Sequence, residues 1–153
     1  MSIISTLRKE GIQVQKKLDT SEVNIISERI ANILCSAFPD HQLQYDNLIN
    51  CISSLNMYTA TFENTLVGAK YFCHKKSIFF NADININKND MFSLHECIHF
   101  LQDSYISKTN PKSLGLYSIT KDTGLGLNEA AVQLMSSKIN GIPKEFKLHK
   151  TDK

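Results

Sequence analysis

The pattern of apolar and polar residues divides the chain into a helical first third, a central group of strands and two later helices. Apolar residues recur at helical spacing after Ser21, the predicted N-cap, and Pro39 ends this run. A second helix is predicted before Ser53-Ser54. The periodic positions are Val23, Ile26, Ile30 and Ile33 in the first helix, and Leu43, Leu48, Ile49 and Ile52 in the second.

Short runs rich in aromatic and β-branched residues follow the two helices, and such runs are typical of strands. Glu63-Asn64 and His74–Lys76 separate the runs from one another. The pattern therefore predicts a small meander of strands. Its three members are Met57–Phe62, Gly68–Cys73 and Ser77–Ile84.

Two helices are predicted in the last third of the chain. Asn89-Asp90 is the expected cap of the first, and the second runs from about Leu127 to Ile139, where Asn140-Gly141 ends it. Ser104–Thr123 contains Pro111 and few periodic signals, which indicates mostly loop. We expect one α+β domain over residues 1–153, with a helical N-terminal segment (1–56) and a catalytic core (57–141). The apolar face of the helix that follows the Asn89-Asp90 cap comprises Met91, Leu94, Ile98 and Leu101.

Length and charge exclude several classes of function. A chain of 153 residues suits one domain, and its net charge of +2, with no basic patch carrying interleaved aromatics, gives no support to nucleic-acid binding. No run approaches the roughly 18 apolar residues of a membrane span, and no signal peptide is recognisable. The sequence therefore predicts a cytoplasmic protein. The four cysteines form no C-x-x-C pair, which favours free thiols over disulfides.

The run His95-Glu96-Cys97-Ile98-His99 has the pattern H-E-x-x-H and falls on a predicted helix. Residues four apart lie one turn apart on the same face, so both imidazoles can reach one metal ion. Glu96 is displaced by about 100° of rotation, which disfavours it as a ligand but lets it accept a proton from water on the metal. A metal would also compensate three polar groups beside an apolar face.

A catalytic zinc site needs a third protein ligand and leaves its fourth position for water. Glu129 follows His99 by thirty residues, near the start of the last predicted helix. Ala130 and Ala131 stand beside it, and such small neighbours let two helices approach closely. Glu129 is therefore the candidate third ligand.

These two motifs together resemble those of the gluzincin family of zinc metallopeptidases. The similarity covers Met91–Asp103 and Gly124–Ser137, and in the second segment it lies at Asn128 and Glu129. The resemblance implies a zincin-like fold and hydrolysis of peptide bonds in a peptide or protein substrate. It also implies Zn²⁺ held by His95, His99 and Glu129, with Glu96 as the general base for a zinc-activated water.

The resemblance also implies roles for Gln133 and for the strand predicted at Ser77–Ile84. Gln133 stands where the family places an acidic residue that supports a zinc-binding histidine, and it can accept a hydrogen bond without bringing a charge. Ser77–Ile84 precedes the predicted helix that carries His95 and His99, which is called the metal helix below. In zincins the strand before this helix is an edge strand, to which the substrate adds. The alternative for Ser77–Ile84 is an ordinary strand of the sheet.

Several other residues near the motif can be interpreted either as functional residues or as ordinary structural ones. Tyr105 and Tyr117 are candidate donors to the oxyanion, or otherwise surface and packing residues. Asp103 either supports the site or lies solvated at a helix end. We expect Cys97 to be a small core residue and Cys73-His74 to be a turn-end thiol and a surface imidazole.

Hypotheses other than a zinc peptidase remain at this point. The chain could be a catalytically inactive, zinc-stabilised protein-binding module, and two histidines with a carboxylate also accept several other divalent metals. The N-terminal helices could inhibit the site, as in a pro-enzyme. Glu96 favours the enzyme, because a structural zinc site needs no general base.

Overall fold

The computed structural model describes residues 7–39, 43–83, 91–109, 113–114, 117–118 and 125–139. These residues form an α+β fold in which helices cover a small mixed sheet, and this class agrees with the prediction. The elements in chain order are β1 (Ile12–Lys17), α1 (Thr20–Ala37), α2 (Tyr45–Ile52), β2 (Asn56–Phe62), β3 (Ala69–Phe72), β4 (Ser77–Asn81), α3 (Met91–Thr109), β5 (Ser113–Leu114), β6 (Tyr117–Ser118) and α4 (Leu125–Ile139).

The first third of the chain is not wholly helical, because Ile12–Lys17 forms strand β1 and pairs with β2. The alternation Ile12-Gln13-Val14-Gln15 was visible in the sequence and is typical of a strand, although only Ile12 is buried. The predicted cap at Ser21 is also wrong. Asp19 caps α1: its side chain accepts from the Glu22 N–H, and the Glu22 side chain accepts from the Asp19 N–H, both over 2.9 Å. The end of α1 before Pro39 is confirmed, as is α2.

The sheet has the strand order β1-β2-β4-β3. Strand β1 is antiparallel to β2, β2 is parallel to β4, and β4 is antiparallel to β3. The predicted meander is therefore wrong: after β2 the chain passes to the far edge, forms β3 and returns as β4 between β2 and β3. All five residues of β4 are buried, as expected of an interior strand.

The strand that precedes the metal helix is thus an interior strand and not the edge. The residues predicted for that edge, Ser77–Ile84, contain β4, and the edge itself is β3. Its outward side lies beside α3, because the backbone N–H of Tyr71, which points away from β4, donates to Glu96 of α3. The free edge of the sheet therefore borders the metal helix.

The main core lies between one face of the sheet and helices α1, α3 and α4. A smaller apolar cluster covers the other face, where Phe79 packs with residues of β1 and β2. Helix α1 is part of the main core, so its place is structural. Fully buried members of the main core include Ile26, Ile30, Met57, Ile78, Phe80, Leu94, Cys97, Phe100 and Val132.

Close contact at Gly68 fixes the start of α3 against β3. A Cβ added to Gly68 would lie only 2.3 Å from the ring of Phe92 on α3. Only a residue without a side chain allows the ring to lie on the backbone there. The absence of a side chain at position 68 therefore lets the metal helix approach the edge strand.

Helix α3 is longer than predicted and includes residues 104–109, which were assigned to a loop. No glycine or proline interrupts the sequence before Pro111, so nothing ends the helix earlier. The strands β5 and β6 form a short antiparallel pair within the remaining part of that predicted loop. Helix α4 begins at Leu125 and ends at Ile139, close to the prediction, whereas Asn89-Asp90 and Asn140-Gly141 lie outside the described residues.

None of the described helices combines the length and the apolar character that crossing a bilayer requires.

Candidate metal centre

Helices α3 and α4 pack antiparallel around the two sequence motifs. Near the start of α3, Met91 accepts a hydrogen bond from Gln133 of α4, with a nitrogen–sulfur distance of 3.6 Å. One turn later along α3, His95 lies against Glu129, which precedes Gln133 by one turn. This pairing of an early turn of α3 with a later turn of α4 brings the two motifs together.

His95, His99 and Glu129 converge on one point. The two Nε2 atoms lie 3.0 Å apart, and each lies 3.3 Å from a carboxylate oxygen of Glu129. Zinc–nitrogen bonds of 2.0–2.1 Å at tetrahedral angles hold donor atoms about 3.3 Å apart. The spacing of these three side chains therefore fits a single tetrahedral ion, and among the described residues they form a group that could hold one.

The three side chains differ in their access to solvent. The histidine side chains are 14% and 15% exposed, whereas that of Glu129 is 50% exposed. Hydrogen bonds from His95 and His99 lower the pKa of Glu129 to about 2, against the opposing effect of burial. Glu129 is thus a carboxylate at neutral pH, as a metal ligand has to be.

Glu96 lies beside the cluster without joining it. Its Oε2 accepts a hydrogen bond from the backbone N–H of Tyr71 on β3, over 2.7 Å. Burial raises the pKa of Glu96 to about 7, although the charge of His95 and the Tyr71 N–H lower it. A carboxyl group with a pKa near neutrality can both accept and release a proton.

Asn128 supports His99 from the side away from Glu129. Its amide nitrogen Nδ2 lies 3.4 Å from Nδ1 of His99, and the residue is 3% exposed. A metal on Nε2 requires the proton on Nδ1, and the Asn128 amide would then turn over so that its oxygen accepts from that N–H. The sequence singled out Asn128 only as part of the Asn-Glu motif, and its role becomes visible in the packed helices.

Gln133 does not support a histidine, contrary to the expectation for its position. Its Nε2 donates to Met91 Sδ and to Ser137 Oγ, the latter over 3.3 Å. The antiparallel crossing places Gln133 opposite the first turn of α3 rather than opposite the histidines. The support of His99 comes instead from Asn128.

Tyr71 and Asp103 join the edge strand to the metal helix. The Tyr71 hydroxyl donates to Asp103 Oδ2 over 2.7 Å, and its ring packs edge-on against Phe100. Asp103 is therefore neither solvated at a helix end nor bonded to a histidine. Sequence analysis missed Tyr71, because the strand that carries it was expected inside the sheet.

The remaining candidates fall in two groups. Cys97 is fully buried and burial raises its pKa to about 12, which confirms a core residue. Cys73 and His74 lie in a turn after β3, with His74 exposed, as expected. The side chains of Tyr105 and Tyr117 lie outside the described residues.

A cleft of about 330 Å³ opens on the cluster, between β3, α3 and α4. Among the residues that the structure describes, none from the segment 7–56 lines this cleft. The described part of the N-terminal segment thus gives no support to an inhibitory plug. The lining comprises Lys70, Tyr71, Cys73, Glu96, His99, Gln102, Leu125, Asn128 and Glu129.

Comparison with models of protein families, with curated proteins and with solved structures found no match for this chain.

Proposed function

We propose that this protein is a zinc-dependent metallopeptidase that hydrolyses peptide bonds. The observation that carries the proposal is the convergence of His95, His99 and Glu129 at 3.0–3.3 Å, with Glu96 beside them in the same cleft. Two imidazoles and a carboxylate are the ligands of a hydrolytic zinc site that keeps one position open. A peptide or protein is the proposed substrate.

The choice of Zn²⁺ rests on the donor set. Imidazole nitrogens suit zinc and other late transition metals, and the short separations favour four-coordinate geometry over a larger oxygen-rich shell. With its amide oxygen turned to Nδ1 of His99, Asn128 would accept the hydrogen bond that metal-binding histidines usually donate. When bound, zinc would lower the pKa of its water and polarise the scissile carbonyl.

The side chains around the ion would carry the proton transfers. Glu96 would take a proton from the attacking water and return it to the leaving amine, a sequence that its pKa near 7 suits. The Tyr71 N–H would hold the Glu96 carboxylate towards the cleft during both transfers. His95 and His99, almost enclosed, would keep their Nε2 atoms aimed at the ion.

A Glu96→Gln variant tests this proposal. The zinc-loaded variant should keep its metal, because Glu96 is not a ligand, and should lose peptide hydrolysis by at least a hundredfold. Hydrolysis of a denatured protein mixture and elemental zinc analysis would be measured on the same samples. Glu28→Gln, at an exposed position on α1, is the matched control and should be unchanged.

Each outcome of this experiment separates two hypotheses. Native-rate hydrolysis by Glu96→Gln would contradict the assigned base. Stoichiometric zinc in the native protein, with no cleavage of any protein in the mixture, would favour the inactive, zinc-stabilised binding module.

A further inference from the structure

The cleft contains a buried hydrogen-bond acceptor that the proposed mechanism does not use. Gln102 on α3 lines the cleft together with Glu96 and His99. Its Oε1 is buried and has no hydrogen-bond partner in the structure that is described. Buried polar atoms are normally paired, so an unpaired one beside a candidate active site calls for an explanation.

The position of Gln102 on α3 continues the row of metal-binding residues. It follows His99 by three residues and His95 by seven, so all three share one face of the helix. Three residues of helix correspond to about 4.5 Å along the axis. From the midpoint of the two histidines the axial distance is about 7.5 Å, so the carboxamide lies about two residues of extended peptide away from the metal site.

The first turn of α4 also lines the cleft. Leu125 lies one turn before Glu129, and the antiparallel packing places it across from His99, about one turn from Gln102. Its side chain is 54% exposed. Gln102 and an exposed apolar side chain thus both border the cleft beside His99.

An unpaired acceptor at this position destabilises the free protein, because its lost hydration is not replaced. Methionine has nearly the same length and would fill the site without that cost. An incoming hydrogen-bond donor would remove the penalty in the complex. Residues that lower the stability of the free protein in this way are typical of binding sites.

We propose that Gln102 is a substrate-positioning residue whose side-chain oxygen accepts a hydrogen bond from a backbone N–H of the bound peptide. The proposal rests on the metallopeptidase function proposed above. The N–H belongs to a residue about two positions from the scissile bond, because of the distance between Gln102 and the histidines along α3. The bond requires only rotation of the carboxamide towards the cleft and leaves the metal ligands in place.

The test uses two hydroxamates that chelate zinc equally but differ in peptide groups. Acetohydroxamate reaches only the metal, whereas a peptidyl hydroxamate also places backbone N–H groups in the cleft. On the zinc-loaded full chain, Gln102→Met should weaken binding of the peptidyl hydroxamate about tenfold and leave acetohydroxamate unchanged. Methylation of the peptidyl hydroxamate at its amide nitrogen should weaken its binding to the native protein by the same factor. The methylation should not weaken its binding to the variant any further.

Thermal unfolding supplies a second measurement that a purely structural role would not reproduce. Gln102→Met should melt at the same temperature as the native protein or higher, because it removes an unpaired acceptor. Gln15→Met, the same change at an exposed position on β1, should alter neither binding nor melting. Lower melting together with equal weakening of both hydroxamates would identify Gln102 as structural and overturn the proposal.

The failure of this proposal is distinguishable from the failure of the metallopeptidase function. If native protein binds zinc and both hydroxamates, and Gln102→Met binds the peptidyl compound as tightly, only the role of Gln102 is wrong. If zinc-loaded native protein binds neither hydroxamate, the open metal site itself is wrong and the role of Gln102 falls with it.

Discussion

The backbone N–H of Tyr71 donates a hydrogen bond to the carboxylate of Glu96 over 2.7 Å. Tyr71 lies on the edge strand β3 and Glu96 on the metal helix α3, so the bond joins the sheet to the candidate site. The hydroxyl of the same tyrosine reaches Asp103, two turns further along α3. One residue thus holds the strand against the helix at two points and fixes the carboxylate that faces the cleft.

Replacing Tyr71 by phenylalanine should lower stability while leaving zinc binding intact. The change removes the bond from the hydroxyl to Asp103 but keeps the backbone N–H that binds Glu96. A partly buried hydrogen bond to a charged group contributes about 2 kcal/mol. Urea denaturation should show a loss of that size. Tyr58→Phe, on β2 where the ring stacks on Phe79, is the control and should lose less.

The Asn128–His99 contact should determine metal affinity. Asn128→Ala removes the amide beside Nδ1 of His99, and the loss of such a contact weakens metal binding by about 10- to 100-fold. Competition with a zinc chelator measures the effect. Gln133→Ala is the informative control, since Gln133 contacts Met91 and Ser137. If it weakened zinc binding as much as Asn128→Ala, the assignment of Asn128 as the supporting residue would be wrong.

The pH dependence of stability in metal-free protein should reflect the burial of Glu96. Its pKa is raised from 4.5 to about 7, so the folded state binds the proton more tightly than the unfolded state. The corresponding stability is present below about pH 4.5 and is lost as the pH rises towards 7. The glutamine side chain in Glu96→Gln cannot ionise, so the variant keeps this stability. As the pH rises, the free energy of unfolding of Glu96→Gln should therefore exceed that of the native protein by a growing amount, up to about 3 kcal/mol at pH 8.

Denaturation of both metal-free proteins at pH 4.5 and pH 8 measures this difference. Glu129 titrates in both proteins, so its contribution cancels in the comparison. Equal differences at the two pH values would mean that Glu96 is not held in the environment described above.

The pairing of His95 with His99 followed from sequence because its geometry is local, whereas Glu129 was singled out by the resemblance of its Asn-Glu segment. Histidines four residues apart on a helix must share a face, and a glutamate near the start of a second helix can complete the set. The structure brings His95, His99 and Glu129 together, as predicted. Cys97, between the histidines, is buried in the core for the same reason of helical spacing.

The surroundings of the cluster did not follow from sequence, because they depend on contacts between distant segments. Strand order is such a property: no local pattern reveals that β3 passes to the outside of β4. Tyr71 therefore stayed unnoticed, as did the support of His99 by Asn128. The cap at Asp19 is different, because the Asp19-x-x-Glu22 pattern was visible in the sequence and predicts a capping box.

Elemental analysis of the purified protein, for the native chain and for Glu129→Ala, tests the central claim most directly. The three-ligand site predicts near-stoichiometric zinc in the native protein and a large loss in Glu129→Ala, while Glu28→Ala keeps its zinc. No metal in the native chain, even after zinc is supplied, would mean that His95 and His99 are structural and would contradict the account.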